Sequence, residues 1–205
     1  MKIVFFTDMH GHGELLEKLP AADLTLCGGD FTTLGGPEAF RKAAAAVAAC
    51  RPGFLGVIGN MDCPEGEEIL REGGHLLDLE GSSVQGIVLR GIGGGNKSPF
   101  GTPVEWEDAD MAARLADCPA SDIFVCHAPP MGSGADVIPG GAHVGSTAIA
   151  DYVNRTHPTL VLCGHIHEAA GIYQMGRSFI VNPGPGACAE IEWNGGSPMI
   201  VLKKL

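Results

Sequence analysis

Five apolar, strand-like runs in this sequence each end in polar side chains of the kinds that bind metal ions. Two runs end in a pair separated by one residue, Asp8-Met9-His10 and His165-Ile166-His167, and the other three end in a single candidate, Asp30, Asn60 or His127. Because residues i and i+2 of an extended chain point to the same side, each pair is expected to aim two ligands at one point. Seven nitrogen and oxygen ligands at the ends of five strands meet the needs of a centre for two metal ions.

Strand-like and helix-like segments alternate over most of the chain. Strands are predicted at residues 2–7, 24–27, 54–58, 84–92, 123–126 and 160–163. Helices are predicted between them at residues 14–19, 37–50, 64–72, 105–116 and 146–156, where helix-forming side chains cluster. The last part contains only strands, at residues 172–175, 178–181, 189–193 and 199–202. This order predicts an α/β (α+β) body that carries a second, more antiparallel sheet.

One domain covering residues 1–205 is expected from the length and the apolar content. A chain of 205 residues, 45% of them hydrophobic, can bury a sizeable single core. In open α/β sheets, ligands bind beyond the carboxyl ends of the strands, and all seven candidates lie at such positions. The predicted fold and the predicted site therefore agree with each other.

The charge of the chain constrains its partners. A net charge of −11 disfavours binding to a nucleic-acid polymer, which needs clustered Lys and Arg, whereas a small phosphorylated substrate held by metal ions is compatible with it. No apolar run has the length of a membrane span, and the first residues lack the pattern of a signal peptide. We therefore expect no membrane partner and a cytoplasmic location, where seven cysteines without a C-x-x-C motif would stay reduced.

Each candidate ligand also has an ordinary interpretation when it is considered alone. Asp30 follows two glycines and Asn60 follows one, a pattern common in turns, and His127 precedes a proline-containing loop. The joint occurrence of all seven in this order favours a metal centre over seven unrelated turn residues. Carboxylates with imidazoles suit Mn²⁺, Fe, Zn²⁺ or Ni²⁺, and no thiolate falls in the pattern. We expect two divalent ions, with Mn²⁺ as the first choice.

The same residues resemble the motif set of the calcineurin-like metallophosphoesterases, and most closely the small single-domain phosphodiesterases of that family. The matching motifs are Asp8-x-His10, Gly29-Asp30, Gly59-Asn60, His127 and Gly164-His165-x-His167. The resemblance implies a four-layer αββα sandwich, in which two mixed β-sheets lie face to face and helices flank them.

The resemblance also implies a role for each ligand. The first metal would be held by Asp8, His10, Asp30 and His167, and the second by Asp30, Asn60, His127 and His165. Asp30 would then bridge the two ions. A hydroxide between the metals would attack phosphorus in line with the leaving oxygen, and the metals would stabilise the developing charge.

One position departs from the family pattern. Many relatives have a histidine after the asparagine, and that histidine protonates the leaving group, but this chain has Met61 there. Met61 cannot donate a proton, so His12 and His143 are candidate proton donors and join Asn60 as candidate catalytic residues. Asp62 is expected to cap the following helix instead of orienting a histidine.

Three functions remain open at this point. Loss of the histidine donor affects poor leaving groups most, which favours a phosphodiesterase acting on a small diester such as a cyclic nucleotide. The alternatives are a phosphomonoesterase or protein phosphatase, and a non-catalytic scaffold with the same fold. The glycine-rich loop at residues 93–97 lacks the P-loop spacing and is either a phosphate contact or a tight surface turn.

Overall fold

Two mixed β-sheets lie face to face in the computed structural model, which describes residues 1–205. The strands are β1 Lys2–Phe6, β2 Leu24–Cys27, β3 Leu55–Gly56, β4 Ser82–Val84, β5 Ile87–Ile92, β6 Gly95–Asn96, β7 Glu105–Trp106, β8 Ile123–Cys126, β9 Leu160–Leu162, β10 Gly171–Met175, β11 Ser178–Asn182, β12 Ala187–Glu192 and β13 Met199–Lys204. The α-helices are α1 Pro37–Cys50, α2 Gly66–Glu72, α3 Asp108–Leu115 and α4 Thr147–Thr156, and short 3-10 helices span Gly13–Lys18 and His167–Ala169.

Each sheet has a parallel core that is completed by a hairpin from the end of the chain. The first sheet has the order β13-β12-β1-β2-β3, and the second has the order β10-β11-β9-β8-β5-β4. Strands β1, β2 and β3 are parallel, as are β5, β8, β9 and β11. The prediction of a separate, more antiparallel sheet is wrong, because β10 extends the second sheet beyond β11 while β12 and β13 extend the first. The open edges of the parallel cores offer unpaired backbone groups that these late strands satisfy.

The alternation of side chains along β1 shows how the layers form. Ile3 and Phe5 pack between the two sheets, whereas Val4 and Phe6 point to the opposite face. All four side chains are almost completely buried, because both faces of the sheet are covered. A strand with apolar residues at every position is therefore expected at this place in the fold.

Helices cover the outer face of each sheet. Phe40 and Val47 of α1 pack with Leu70 of α2 against the first sheet, and Ile149 and Tyr152 of α4 belong to the cluster on the second sheet. Two helical layers thus enclose two sheets, which confirms the four-layer αββα sandwich.

Local sequence signals fix several helix ends. Pro37 occupies the first turn of α1, where its missing N–H has no helical partner to lose. The Ser146 hydroxyl accepts the N–H of Ile149 and caps α4. The predicted helix at 105–116 is wrong at its start, because Glu105 and Trp106 pair with β6 before α3 begins.

The region after β3 differs from its prediction in two ways. Only Leu55–Gly56 of the expected strand at 54–58 is in the sheet, and α2 begins at Gly66. Asp62 does not cap α2, because its carboxylate is buried and accepts N–H groups from a different loop. Capping is therefore the wrong role for Asp62.

All seven cysteines are unpaired, and six of them are buried. None of the helices combines the length and the apolar composition needed to cross a bilayer.

Candidate metal centre

The seven candidate ligands follow the carboxyl ends of strands that are adjacent in the two sheets. Asp8, Asp30 and Asn60 follow β1, β2 and β3, which neighbour one another in the first sheet. His127 follows β8 and the pair His165 and His167 follows β9, which neighbour one another in the second sheet. The structure brings the seven together at the one end of the sandwich where these parallel strands finish.

One group of side chains surrounds the carboxylate of Asp8. His167 Nε2 lies 3.3 Å from Asp8 Oδ1 and 3.3 Å from His10 Nε2, and His10 Nε2 lies 3.8 Å from Asp30 Oδ2. One ligand atom from each of Asp8, His10 and His167 lies within 4.8 Å of the others. This spacing suits a single cation among them.

A second group surrounds the amide oxygen of Asn60. His127 Nε2 lies 2.8 Å from Asn60 Oδ1, and His165 Nδ1 lies 2.9 Å from the same oxygen. His127 Nε2 also lies 3.4 Å from Asp30 Oδ2. Two imidazole nitrogens, one amide oxygen and one carboxylate oxygen therefore point to one place.

Asp30 belongs to both groups through a single atom. Its Oδ2 faces His10 on one side and His127 on the other, at 3.8 and 3.4 Å. Its Oδ1 points away and accepts the backbone N–H of Met61 at 2.8 Å. A buried carboxylate with one oxygen held by the backbone and the other shared by two ligand groups has the geometry of a bridging ligand.

Surrounding hydrogen bonds set which atom of each ligand faces the centre. His127 Nδ1 donates to the carbonyl of Gly28 at 2.8 Å, so Nε2 is the nitrogen turned inward. Asn60 Nδ2 donates to Thr102 Oγ1 at 2.9 Å, so Oδ1 is turned inward. Such outer contacts orient metal ligands and increase their affinity.

The backbone at the ligands is left-handed. Asp8, His10, Asp30 and His165 have φ values of 53°, 48°, 50° and 68°, and they account for four of the seven non-glycine residues with positive φ. The prediction that each pair lies in extended chain and aims two ligands at one point is therefore wrong. The backbone turns sharply at the ligands, and His165 and His167 lie in different groups, beside Asn60 and Asp8 respectively. Backbone strain of this kind concentrates at functional sites.

Two glycines allow the carboxylates to approach the backbone. A Cβ on Gly59 would overlap Asp30 Oδ1, and a Cβ on Gly164 would overlap Asp8 Oδ2. No side chain larger than hydrogen fits at either position while the carboxylates stay in place.

One known protein family accounts for both the fold and the metal centre of this chain. A family model described as the calcineurin-like phosphoesterase superfamily domain matches residues 1–201. The chain belongs to this superfamily. Calcineurin-like phosphoesterases use two divalent metal ions, and the two ligand groups described above are the residues of this chain that fit them.

Individual proteins resemble this calcineurin-like chain in sequence or in fold. An uncharacterized protein of Methanocaldococcus jannaschii, MJ1162, is 34% identical over 201 residues, which cover 90% of this chain and 88% of that protein. The structure of TT1561 of Thermus thermophilus has a TM-score of 0.74 at 18% identity, over 98% and 97% of the two chains. The phosphopantetheinyl hydrolase PptH of Mycobacterium tuberculosis has a TM-score of 0.65 at 14% identity, over 89% and 88%. These two structures show the shared fold.

The carboxylates of the calcineurin-like centre favour positive charge beside them, whereas burial and the charge of His127 lower the pKa of His165 to about 4. Burial raises the pKa of Asp8, but the hydrogen bond from His167 and the charge of His127 outweigh it and lower the pKa to about 2. Burial opposes protonation of His127, yet the nearby charge of Asp30 raises its pKa to about 9. The ionised carboxylates thus raise the pKa of a buried imidazole, and the same attraction would act on a divalent cation.

The two remaining sequence candidates lie outside the ligand cluster. His12 Nδ1 lies 2.9 Å from Glu14 Oε1, and both side chains are two-thirds exposed. None of the hydrogen bonds or ion pairs of the ligand cluster involves His12. His143 Nδ1 lies 2.9 Å from the buried carboxylate of Asp136, on a loop that follows His127.

Three supporting roles are not predicted by the sequence pattern: those of Asp62 and Thr102 beside the ligands and that of Asp136 beside His143. The pattern assigns Asp62 to a helix cap, and it does not single out Thr102 or Asp136. Asp62 follows Asn60 by two residues, and a polar residue that close to a ligand is a usable signal. Thr102 and Asp136 have no such signal, because their partners lie far from them or in loops of irregular structure.

Proposed function

We propose that this chain hydrolyses a small phosphodiester, a cyclic nucleotide or a similar compound, with two divalent metal ions. The single observation that carries the proposal is Asp30 Oδ2, which both ligand groups share. Asp8, His10, Asp30 and His167 would hold one ion, and Asp30, Asn60, His127 and His165 would hold the other. Bound there, the ions would polarise the phosphoryl oxygens and activate water for attack on phosphorus.

Mn²⁺ is the metal that we propose, and it is among the ions that the donor set suits. Imidazole nitrogens, carboxylates and one amide oxygen suit Mn²⁺, Fe, Zn²⁺ and Ni²⁺, and no cysteine sulfur is among the candidate ligands. A cytoplasmic location belongs to the same proposal, because seven unpaired cysteines suit a reducing compartment.

Substrate size and ester type follow from charge and from Met61. A net charge of −11 repels a long nucleic-acid backbone, whereas two divalent ions beside two carboxylates give a local positive charge that attracts one phosphodiester. Met61 takes the place next to Asn60 and donates only its backbone N–H, to Asp30. This position therefore offers no proton to the leaving group of an alkyl monoester, and cleavage of a small diester needs a donor from another part of the chain.

The test compares two esters with the same leaving group. The purified protein is loaded with Mn²⁺, its metal content is measured, and its kcat/KM is determined for bis(4-nitrophenyl) phosphate and for 4-nitrophenyl phosphate. We expect the diester to be the better substrate, and a panel of cyclic nucleotides, dinucleotides and phospholipid headgroup diesters then identifies the natural class. A monoester preference would replace the proposal by a phosphomonoesterase or protein phosphatase. Two bound metals without turnover of any ester would indicate a scaffold.

A further inference from the structure

The loop between His127 and α4 holds a histidine that is fixed by a buried acid. We propose that His143, positioned by Asp136, gives the leaving oxygen its proton during diester cleavage, an inference that rests on the proposed function. Met61 has no group that can protonate the leaving oxygen. The proposal therefore gives this role to a histidine in a different loop.

The carboxylate of Asp136 holds the imidazole of His143 through its Nδ1 atom. Its side chain is completely buried, and its Oδ1 accepts Nδ1–H of His143 at 2.9 Å and the N–H of Gly134 at 3.1 Å. Its Oδ2 accepts the N–H of Gly132 at 2.8 Å. Burial raises the pKa of Asp136, but the Gly132 N–H and the His143 ring outweigh it and keep the pKa below its usual value. The acid therefore remains charged and fixes Nδ1 as the nitrogen turned inward.

The other side of the imidazole is open. The side chain of His143 is 47% exposed, whereas that of Asp136 is 0% exposed. With Nδ1 held by the acid, Nε2 is the nitrogen available to a bound ligand. An imidazole oriented through one nitrogen and free at the other is the arrangement that general acids use.

Two sets of hydrogen bonds connect the loop of His143 to the neighbourhood of the second ligand group. Asn96 Nδ2 donates to the carbonyl of Val144 at 3.0 Å, one residue after His143. The residue before Asn96, Gly95, lies against the centre, since a Cβ there would be 2.9 Å from Asn60 Cβ and 3.4 Å from His165 Cε1.

The second connection runs along the chain from His127. Pro129 accepts the N–H of Ser146 at 3.0 Å, and Met131 donates to the Ser146 carbonyl at 3.0 Å. The segment that carries His143 therefore pairs with the segment that begins two residues after the ligand His127. Both connections lead to residues beside the group formed by Asn60, His127 and His165, and from them we infer that a substrate held there is within reach of the His143 loop.

His12 is the weaker of the two histidine candidates. Its Nδ1 contacts Glu14, which is itself 67% exposed, so no buried group fixes the ring. Its backbone begins the 3-10 helix Gly13–Lys18, and none of its hydrogen bonds reaches a ligand.

The proposed step balances without a further reactant. The oxygen of water forms a bond to phosphorus and releases one proton to solvent, while the bond between phosphorus and the leaving oxygen breaks. The leaving oxygen takes the proton from Nε2 of the protonated His143 ring, which becomes neutral. The ring then regains a proton from solvent, and Asp136 keeps its charge throughout.

The first test measures the dependence of the rate on the leaving group. In H143Q, kcat/KM for an alkyl phosphodiester should fall by about 10²–10⁴-fold, whereas kcat/KM for bis(4-nitrophenyl) phosphate should fall by less than about tenfold, because 4-nitrophenolate departs without help. Metal content and melting temperature should stay at the wild-type values. H12Q, tested in parallel, should leave the ratio of the two rates unchanged.

The second test does not depend on turnover. In the zinc-loaded protein, inorganic phosphate should shift the ¹⁵N resonances of His143 in long-range NMR spectra. His157 at the far end of α4, about 15 Å along the helix from Ser146, should be unaffected. In D136N, His143 should lose its fixed Nδ1–H tautomer.

The outcomes separate the two proposals. Equal losses of H143Q on both diesters, a leaving-group effect in H12Q instead, or an unshifted His143 would overturn the role of His143 and leave the phosphodiesterase proposal in place. A metal-loaded wild type that cleaves neither diester would overturn the phosphodiesterase proposal, and with it the role of His143.

Discussion

The carboxylate of Asp62 accepts the backbone N–H of Gly59 at 2.9 Å. The same carboxylate accepts the N–H of Phe31 at 3.2 Å and both the N–H and the hydroxyl of Thr32, at 2.9 and 3.0 Å. Gly59 precedes the ligand Asn60, and Phe31 follows the ligand Asp30. One buried side chain thus joins the two loops that carry ligands of the second group.

Replacing Asp62 should therefore affect both stability and metal binding. In D62A three backbone N–H groups lose their acceptor in a buried site, and each such loss costs about 1–3 kcal/mol. We expect the free energy of unfolding in urea to fall by several kcal/mol, and the bound metal to fall below two ions per chain. E65A is the matched control, because Glu65 makes no side-chain cap bond and should change stability by less than about 0.5 kcal/mol. Equal stability of the two variants would contradict this role.

The case of Asp62 illustrates what the sequence can and cannot predict. The ends of β2, α1 and β8 are predicted correctly, because apolar runs and a proline at a helix start are local signals. Two of the three partners of Asp62, Phe31 and Thr32, are about 30 residues away in the chain. The local sequence favours a helix-capping role for Asp62. Only the folded structure shows that N–H groups from a distant loop bind its carboxylate instead.

For the metal ligands, too, some features can be predicted from the sequence and others cannot. Their positions at strand ends follow from apolar runs that are visible in the sequence, and the structure does bring all seven together. The left-handed backbone at Asp8, His10 and His165 is not predicted, because aspartate and histidine only sometimes adopt positive φ. The distribution of the late hairpins over two sheets also escapes prediction, since it depends on which sheet edge is open.

The shared oxygen of Asp30 makes a prediction about metal stoichiometry. D30A removes a ligand from both groups, so turnover should be abolished and occupancy should fall at both positions. H10A and H165A each remove a ligand from one group only, and each should lose mainly one of the two ions. Inductively coupled plasma mass spectrometry after dialysis against Mn²⁺ gives the count. Full occupancy and full activity in D30A would exclude Asp30 as the bridge.

Gly59 and Gly164 test the close approach of carboxylate to backbone. A methyl group at either position overlaps a ligand oxygen and must displace Asp30 or Asp8. We expect G59A and G164A to lower kcat/KM by about 10²-fold, the scale of a displacement of about 1 Å in a catalytic group. G53A is the control, because a Cβ there meets nothing within 4 Å. Wild-type kinetics in both site variants would show that the carboxylates do not depend on these glycines.

Thr102 provides a test of ligand orientation from outside the centre. Its hydroxyl accepts the Asn60 amide at 2.9 Å and donates to Glu105 Oε1 at 2.8 Å. The T102V variant keeps the shape of the side chain but removes both bonds, so Asn60 can turn its oxygen away from the second metal. We expect metal affinity at that position to fall about 10–100-fold, and T102S, which keeps the hydroxyl, to restore most of it.

Isothermal titration with Mn²⁺ separates this effect from a general loss of structure. Only the binding step of the second group should weaken in T102V, while the group around Asp8 keeps its affinity, because Thr102 has no hydrogen bond to any of its members. Equal weakening of both steps, or failure of T102S to recover binding, would mean that the loop supports the fold and does not orient Asn60.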